Sequence, residues 1–230
     1  TFDTIQINKI LKKLKEKKIE NVILEASSHG LNQNRLDGLE FDIGIFTNLT
    51  RDHLDYHKTF KNYFNSKLIL FKKLLKKKSY AIYDNDLRIS SDLNKITRYN
   101  KIKKLTLGNT KSSFVIIDHQ FLKDEQKITF RFDKKQYSFS TKLIGRVQIK
   151  NLLMAIMAAM KSKISLEKIL KVTQNIKPIT GRLEKIGSLH NNGIVILDYA
   201  HTPDALITCI KNVKEQFKLR KINLVFGCGG

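Results

Sequence analysis

The sequence predicts an α/β fold, because segments with helical spacing alternate with short apolar runs that are typical of buried strands. Two of these runs, predicted as strands at 21–25 and 41–47, each lead into a dense polar segment. Between Glu25 and Lys67 the chain holds three histidines and several carboxylates. Because open α/β folds keep their chemistry at the carboxyl ends of the strands, this stretch is the predicted functional region.

The first half of the chain continues this alternation. Residues 5–18 place isoleucine and leucine at helical spacing with lysines opposite, and a second helix is predicted at 59–77. A further strand is predicted at 80–84, where the segment YAIYD is apolar and β-prone. From 112 to 141 the pattern changes to shorter β runs joined by polar turns, which predicts an antiparallel excursion.

Helical patterns return after the excursion, at 148–162 and at 165–175, where Ser165 is a predicted N-cap. The segment 177–182 is predicted to be a linker, since a proline and a glycine closely follow the end of a helix. Beyond the linker, a new strand–helix–strand unit is predicted at 193–198, 202–217 and 221–227. One such unit is too small to form a core by itself.

The composition argues against a membrane-spanning or secreted protein. No run approaches the ~20 apolar residues that a membrane span needs, and the start lacks the basic-then-apolar order of a secretory signal. Cys209 and Cys228 are too few for a disulfide framework and lack CxxC spacing. We therefore expect a reduced cytoplasmic protein.

The net charge makes nucleic-acid binding an alternative that has to be weighed. Forty-three Lys and Arg residues against 21 Asp and Glu residues give a net charge of +22. The lysines are spread over every segment, mostly on the polar faces of predicted helices, and are not interleaved with arginine and aromatic residues as on a stacking platform. We therefore predict no nucleic-acid partner, although the charge suits anionic substrates.

Lys67 has an unusual position in the predicted helix 59–77. The apolar stripe of this helix is formed by Phe60, Tyr63, Phe64, Leu68, Phe71, Leu74 and Leu75. Lys67 falls in the middle of the stripe, where a buried ammonium is costly and is usually paired, neutral or chemically altered. The alternative is a side chain that extends past the core to water. Periodicity alone favours that alternative, whereas the nearby histidines and carboxylates favour a function.

The polar cluster near Lys67 has the composition of a magnesium site. It consists of Glu25, His29, Asp52, His53, Asp55 and His57. A carboxylate at one strand end and a histidine at the next suit a hard cation that also holds phosphate oxygens. Zinc is disfavoured, because HLDYH offers two histidines four residues apart without the glutamate of HExxH. Each histidine taken singly is also explained by a hydrogen-bonded structural role.

Seven segments resemble, in order, those of the Mur ligase family. They are TFDTIQ, EASSHGLNQNR, FTNLTRDHLDYHKTFKNYFNSK, GR-x₄-NLLMAIMA, GRLE, DYAHTPDAL and VFGCGG. The resemblance covers essentially the whole chain. The segments EASSHGL, RDHLDYH and DYAHTPDAL are specific for the branch that adds the third residue of the peptidoglycan stem peptide.

The resemblance implies an ATP-dependent, amide-forming ligase that uses Mg²⁺ and acts as a monomer. Its substrates would be UDP-MurNAc-L-Ala-D-Glu, ATP and a diamino acid. ATP would phosphorylate a substrate carboxylate, and the amine would attack the acyl phosphate, a reaction that depends on positioning and charge neutralisation. The implied fold is a P-loop-NTPase-like central domain with an antiparallel β excursion, followed by the start of a Rossmann-like C-terminal domain.

The same resemblance implies roles for individual residues. The metal-binding positions are matched by Glu25, His53 and Lys67. Lys67 would be carbamylated, so that its side chain becomes a carboxylate-like ligand, and His53 and Lys67 are also the catalytic positions. The substrate-binding positions are matched by Thr1, Ser27, Gln33 and Arg35. The nucleotide-binding positions are matched by Asn151, Arg182 and Asp198.

Some features of the family differ or are missing. Phe2 stands where the family usually has proline, and Gln148 replaces the first asparagine of G-x-x-N-x-x-N. The phosphate-binding loop G-x-x-G-K-[ST] does not occur, so we expect an internal piece of a longer enzyme that is inactive by itself. Residues 1–177 are predicted to be the central domain, truncated at its start, and 178–230 the opening of the C-terminal domain.

Two alternative functions stay open. Related ATP-dependent ligases of the folylpolyglutamate or cyanophycin kind would share the metal site, but would not need Ser27, Gln33 and Arg35 for a muramyl peptide. A nucleic-acid-binding protein is the non-enzymatic alternative, and only the charge supports it. Within the favoured branch, meso-diaminopimelate and lysine are both candidates for the added residue.

Overall fold

The structure, a computed structural model, describes residues 2–108, 111–122 and 125–227. The chain divides into two compact units, Thr1–Leu105 and Thr106–Gly230. This division does not coincide with the domain boundary predicted after residue 177, which stays a prediction. The predicted α/β class is confirmed, since helices alternate with parallel strands in the first unit and antiparallel strands are added in the second.

The first unit is built on a parallel pair of strands. Strands β1 (Phe41–Phe46) and β2 (Leu75–Asp84) pair with Ile45 opposite Ile82. Strand β3 (Lys103–Gly108) contains the boundary between the units. The helices of this unit are α1 (Thr4–Glu16), α2 (Ser28–Asn32), α3 (Leu54–His57), α4 (Phe60–Ile69) and α5 (Ser90–Tyr99), and a π-helical turn at Leu70–Leu74 follows α4.

Polar side chains determine where the helices around the polar segments begin. Thr59 precedes α4, and its hydroxyl accepts a hydrogen bond from Asn62 N at 3.1 Å. Asp3 caps α1 in the same way, through Gln6 N at 2.9 Å. Such caps satisfy amide groups that have no partner inside the helix. The helix predicted at 59–77 ends earlier than expected, because β2 already begins at Leu75.

An apolar cluster holds α4 and the π-helical turn against the strands. Leu68 and Phe71, which are 3% and 1% exposed, pack in one cluster with Phe46 and Tyr83. The ring centroids of Phe46 and Phe71 lie 6.0 Å apart. Burial of a side chain of this size contributes roughly 1.5–3 kcal/mol. The cluster therefore fixes the backbone next to Lys67.

The strand predicted at 21–25 is wrong. Residues 19–27 have no regular secondary structure, and Ile23 in their middle is 99% exposed. A strand requires hydrogen bonds to a neighbouring strand, and none of the described segments pairs with these residues. Apolar, β-branched side chains supply propensity for a strand but do not supply its partner.

The second unit contains the antiparallel strands that the sequence predicts at 112–141. Strand β4 (Phe114–Phe121) pairs in parallel with the end of β3, where Phe114 lies opposite Leu107. Strands β5 (Gln126–Phe132) and β6 (Lys135–Thr141) then continue from β4 in antiparallel pairing. The antiparallel excursion is therefore confirmed.

The remaining elements of the second unit follow the excursion. They are α6 (Arg146–Lys161), α7 (Leu166–Val172), a 3₁₀ turn (Thr173–Asn175), β7 (Glu184–Ser188), β8 (Ile194–Leu197) and α8 (Pro203–Gln216). The predicted N-cap Ser165 is confirmed, since its hydroxyl accepts a hydrogen bond from Lys168 N at 3.5 Å.

The strand–helix–strand unit predicted near the carboxyl end is only partly correct. β8 and α8 are present, but β8 pairs antiparallel with β7. Residues 221–227 are exposed and form no strand, so the prediction of a closing parallel strand is wrong. Its apolar residues have no described neighbour with which to pair, as for the segment 21–25.

Truncation of a buried leucine is expected to destabilise the first unit. Leu93 on α5 is fully buried, at 0% exposure, so Leu93→Ala should lower the free energy of unfolding by about 2–5 kcal/mol. Tyr99 on the same helix is 88% exposed, and Tyr99→Ala should change that free energy by less than about 0.5 kcal/mol. Urea denaturation of both variants measures the difference, and equal effects would contradict the described core.

Candidate active site

Residues from both polar segments meet in the first unit. The ring centroid of His29, on α2, lies 4.8 Å from that of His53 and 5.3 Å from that of His57. Helix α2 begins after Ser27, whose Oγ accepts a hydrogen bond from Gly30 N at 3.1 Å. Ser27, predicted to bind substrate, therefore also serves as the N-cap that sets the start of α2.

His57 is the buried member of this histidine cluster. It is 4% exposed, and its ring nitrogens lie 3.0 Å from Ser28 Oγ and 3.4 Å from Ser66 Oγ. Burial lowers the pKa of His57, and the neighbouring His29 and His53 lower it further. A buried imidazole whose two nitrogens each contact a hydroxyl has its hydrogen-bonding groups satisfied inside the protein. His57 therefore has the structural role that the sequence left open for each histidine.

His53 has a backbone conformation that is unfavourable for a residue with a side chain. Its φ is 54°, in the left-handed region, a conformation that the exposed residues Lys18 and Lys58 also adopt. Asp52 stabilises this arrangement, because its Oδ1 accepts a hydrogen bond from His53 N at 2.8 Å and lies 3.6 Å from the ring Nδ1. With Nδ1 turned toward Asp52, Nε2 is the ring nitrogen that can face a ligand.

Lys67 is partly buried on α4, and its Nζ lies 5.1 Å from the centre of the Tyr63 ring. Burial lowers the pKa of the Lys67 ammonium, while the carboxylates of Asp52 and Glu25 act in the opposite direction. Both carboxylates therefore lie within electrostatic reach of the amine. A lysine with a lowered pKa holds more neutral amine than a surface lysine, and neutral amine is the nucleophilic form.

The unmodified side chains do not by themselves form a metal centre. Within residues 2–108, 111–122 and 125–227, no group of three or more His, Cys, Asp and Glu side chains is placed to hold a metal ion. Glu25 and His53 are the two predicted ligands of these types. Carbamylation of Lys67 would add an oxygen donor of the kind that Mg²⁺ prefers. The residues present therefore fit a magnesium ion if Lys67 is carbamylated.

Two of the predicted substrate-binding residues contact each other. Gln33 Oε1 accepts hydrogen bonds from Arg35 Nε, at 2.9 Å, and from Arg35 Nη2. The amide nitrogen of Gln33 donates to the hydroxyl of Tyr56 at 3.1 Å. Thr1, the fourth predicted substrate-binding residue, lies outside the described residues.

Sequence reasoning missed two tyrosines that are part of this site. Tyr56 lies beside two of the histidines, with its ring centroid 4.2 Å from that of His29 and 4.7 Å from that of His57. Tyr63 lies one helical turn before Lys67, and burial raises the pKa of its phenol to about 12. Both tyrosines belong to the motif segments. The position of Tyr63 in the site could have been predicted, because it lies four residues before Lys67 on the same helix face. The position of Tyr56 could not, because it depends on tertiary contacts.

The predicted nucleotide-binding residues belong to the second unit. Asn151 is exposed on α6, one turn beyond Gln148. Gln148, the residue that departs from the family pattern, donates from its amide to the carbonyl of Arg182 at 2.8 Å. The guanidinium of Arg182 lies 5.1 Å from the centre of the Tyr199 ring. Gln148 therefore connects α6 to the segment that carries Arg182.

Asp198 shapes the turn that follows β8. Its Oδ2 accepts a hydrogen bond from Leu183 N at 2.8 Å, and its Oδ1 accepts one from Ala200 N at 2.9 Å. Charged acceptors make stronger hydrogen bonds than neutral ones. The carboxylate therefore holds two loops together, in addition to any ligand contact that the family resemblance implies.

The first turn of α6 receives a cap from another helix. Gly145 offers no side-chain cap at this end. Asn212 on α8 supplies one instead, since its Oδ1 accepts a hydrogen bond from Val147 N at 3.1 Å. Arg146 Nε also donates to Glu215 Oε2 at 2.8 Å. Helix α8 therefore stabilises the amino end of the helix that carries Asn151.

None of the helices formed by the described residues is both long enough and apolar enough to cross a membrane.

Comparison with known proteins gives relatives along the whole chain. This chain is 37% identical over 233 residues to the UDP-N-acetylmuramoyl-L-alanyl-D-glutamate--2,6-diaminopimelate ligase of Rickettsia bellii (strain RML369-C). The match covers 100% of this chain and 48% of that protein. The ligase of the same name from Chelativorans sp. (strain BNC1) is 34% identical over 230 residues, covering 100% of this chain and 47% of that protein. The chain thus spans about half the length of the curated relatives that it matches.

A solved structure and two family matches agree with these relatives. The solved structure, also of a UDP-N-acetylmuramoyl-L-alanyl-D-glutamate--2,6-diaminopimelate ligase, superposes with a TM-score of 0.80 at 30% identity and covers 100% of this chain and 47% of its own. Residues 1–159 match the Mur ligase middle domain, and residues 181–230 match the Mur ligase glutamate ligase domain. The chain therefore belongs to the Mur ligase family.

Proposed function

We propose that the protein containing this chain is an ATP-dependent ligase that joins 2,6-diaminopimelate to UDP-MurNAc-L-Ala-D-Glu in peptidoglycan synthesis. The observation that carries the proposal is the partly buried Lys67, whose pKa is lowered by burial next to Asp52 and Glu25, within the ordered motifs of this family. The relatives described above are named as ligases for these two substrates. ATP is the co-substrate that the resemblance to the family implies.

The metal centre of the proposed enzyme depends on a change in Lys67. Its neutral amine attacks carbon dioxide, an N–C bond forms and a proton leaves, so that the side chain ends in a carbamate with two oxygens. Glu25, His53 and the carbamate of Lys67 would then hold Mg²⁺. When bound, Mg²⁺ neutralises charge on the phosphate oxygens during transfer. Asp52 orients His53 through the two contacts described above.

The polar residues of α2 and the loop after it would bind the UDP-sugar substrate. Arg35 presents a planar guanidinium, which suits a carboxylate of the dipeptide. Gln33 contacts Arg35, and Ser27 and Thr1 would add hydroxyl groups. In the reaction, a carboxylate of the bound dipeptide attacks the γ-phosphorus of ATP, and ADP leaves. The incoming amine then attacks the acyl carbon, and the amide forms as phosphate and a proton leave.

The second unit would supply contacts to the nucleotide. Asn151 is exposed and can contact the base, and Arg182 can contact the phosphates or the ribose. Asp198 would support the loop that carries Arg182, through its bond to Leu183 N. We also propose that the predicted domains, 1–177 and 178–230, hold for the complete protein, which is a cytoplasmic monomer.

The acceptor specificity of the complete enzyme tests the proposed function. ADP should form from ATP only when UDP-MurNAc-L-Ala-D-Glu and a diamino acid are both present, with 2,6-diaminopimelate preferred to lysine. A coupled assay of ADP release, with mass spectrometry of the product, measures this. Turnover with folate and glutamate instead would place the enzyme with the folylpolyglutamate ligases and would refute the proposal.

Removal of the Lys67 amine is expected to abolish most of the activity. Lys67→Ala in the complete enzyme should lower kcat by about 10²–10³-fold, because a charge-stabilising group at the phosphates is lost. Lys61 is exposed on the same helix, and Lys61→Ala should leave kcat unchanged.

The carbamate itself is tested by chemical rescue of Lys67→Ala. Acetate or formate should partly restore its activity, since a small carboxylate can occupy the space of the missing group. Wild-type enzyme depleted of carbon dioxide should lose activity and regain it with bicarbonate. Full activity of Lys67→Ala without any carboxylate would exclude a carbamate at this position.

Removal of the Arg35 guanidinium is expected to weaken binding of the UDP-sugar substrate selectively. Arg35→Ala should raise the KM for UDP-MurNAc-L-Ala-D-Glu by roughly 10- to 100-fold, because a hydrogen bond to a charged group is lost. The KM for ATP should not change. Arg98 is exposed on α5, and Arg98→Ala is the matched control. An equal rise in both KM values would argue against a substrate-binding role.

A further inference from the structure

The ring of Tyr56 is held in place by two histidines. Its centroid lies 4.2 Å from that of His29 and 4.7 Å from that of His57. His57 is in turn held by Ser28 Oγ, at 3.0 Å from its Nε2. Because His57 is buried, this part of α3 has a defined position relative to α2. The phenol oxygen of Tyr56 is therefore set at a defined point beside α2.

The hydroxyl of Tyr56 joins two residues at the end of α2. It accepts one hydrogen bond from Asn32 Nδ2 and one from Gln33 Nε2, each at 3.1 Å. Both amides therefore converge on the same phenol oxygen. The two donors stabilise negative charge on the oxygen and lower the pKa of Tyr56.

The amide of Gln33 connects Tyr56 to Arg35. Its nitrogen donates to the hydroxyl of Tyr56, and its oxygen accepts from Arg35 Nε at 2.9 Å. The reversed amide would point its NH₂ group at the guanidinium, so that donors would face each other. The contacts therefore favour a single orientation of an exposed, flexible side chain that would otherwise sample many rotamers.

We propose that Tyr56 is a positioning residue, which fixes Gln33 and, through Gln33, the guanidinium of Arg35 for binding the dipeptide of the UDP-sugar substrate. The inference rests on the proposed function, in which Gln33 and Arg35 bind that substrate. Tyr56 itself forms no bond to the reacting atoms. Tyr56 orders Gln33 and Arg35 before the substrate binds, so that less conformational entropy is lost on binding.

The alternative is that Tyr56 only connects α3 to α2 and supports the fold. Its bond to Asn32 is consistent with that role, since Asn32 also accepts a hydrogen bond from Ser66 Oγ at 3.2 Å. A structural role would lower stability and affect every kinetic constant together. A positioning role acts on one substrate and depends on Gln33.

The test is Tyr56→Phe in the complete enzyme, which removes the hydroxyl and keeps the ring beside His29 and His57. The KM for UDP-MurNAc-L-Ala-D-Glu should rise about three- to tenfold, which corresponds to the loss of a neutral hydrogen bond. The value of kcat should stay within about twofold, since the lost contact acts on binding before the chemical step. The KM values for ATP and the diamino acid should not change. Tyr99→Phe, at an exposed position on α5, is the matched control.

A double-mutant cycle with Gln33→Ala shows whether Tyr56 acts through Gln33. If it does, the double variant should have the same KM for the UDP-sugar substrate as Gln33→Ala alone. Thermal unfolding of each variant monitors the fold separately. Additive effects of the two substitutions, or an unchanged KM in Tyr56→Phe, would overturn the proposal while leaving the proposed function intact. If neither Gln33→Ala nor Arg35→Ala changes that KM, the substrate assignment fails, and the role of Tyr56 fails with it.

Discussion

The placement of a lysine amine among buried side chains is the constraint on which the candidate site depends. Ser66 and Leu68, the neighbours of Lys67 on α4, are 4% and 3% exposed. The core fixes both neighbours, and Lys67 itself is partly buried. Desolvation disfavours the ammonium and lowers its pKa, while Asp52 and Glu25 limit the shift. The fold therefore increases the share of neutral amine at this position.

The polar residues of the candidate site are joined by ring contacts and hydrogen bonds into one network. His57 is buried and neutral, and it supports the rings of His29 and Tyr56. His29 contacts the ring of His53, and the hydroxyl of Tyr56 accepts a hydrogen bond from Gln33. These contacts restrict the rotamers of His53 and Gln33.

Local signals in the sequence were sufficient for several parts of this structure. The helical spacing that placed Lys67 in an apolar stripe agrees with its partial burial on α4. The N-cap at Ser165 and the antiparallel strands after residue 112 were also predicted correctly. Each of these features depends on residues that are close in the sequence, so a period of 3.6 or 2 residues, or one capping side chain, contains the necessary information.

By itself, the sequence determined the fold class, the family and the two polar segments that form the candidate site. Only the tertiary structure decided how those segments meet, because their contacts join residues that are far apart along the chain. The bond between Tyr56 and Gln33 spans 23 positions, and the bond between Ser66 and Asn32 spans 34. The apolar runs at 21–25 and 221–227 form no strands for the same reason. A strand is stabilised by its hydrogen-bonded neighbour, and the presence of that neighbour is a property of the fold and not of the segment.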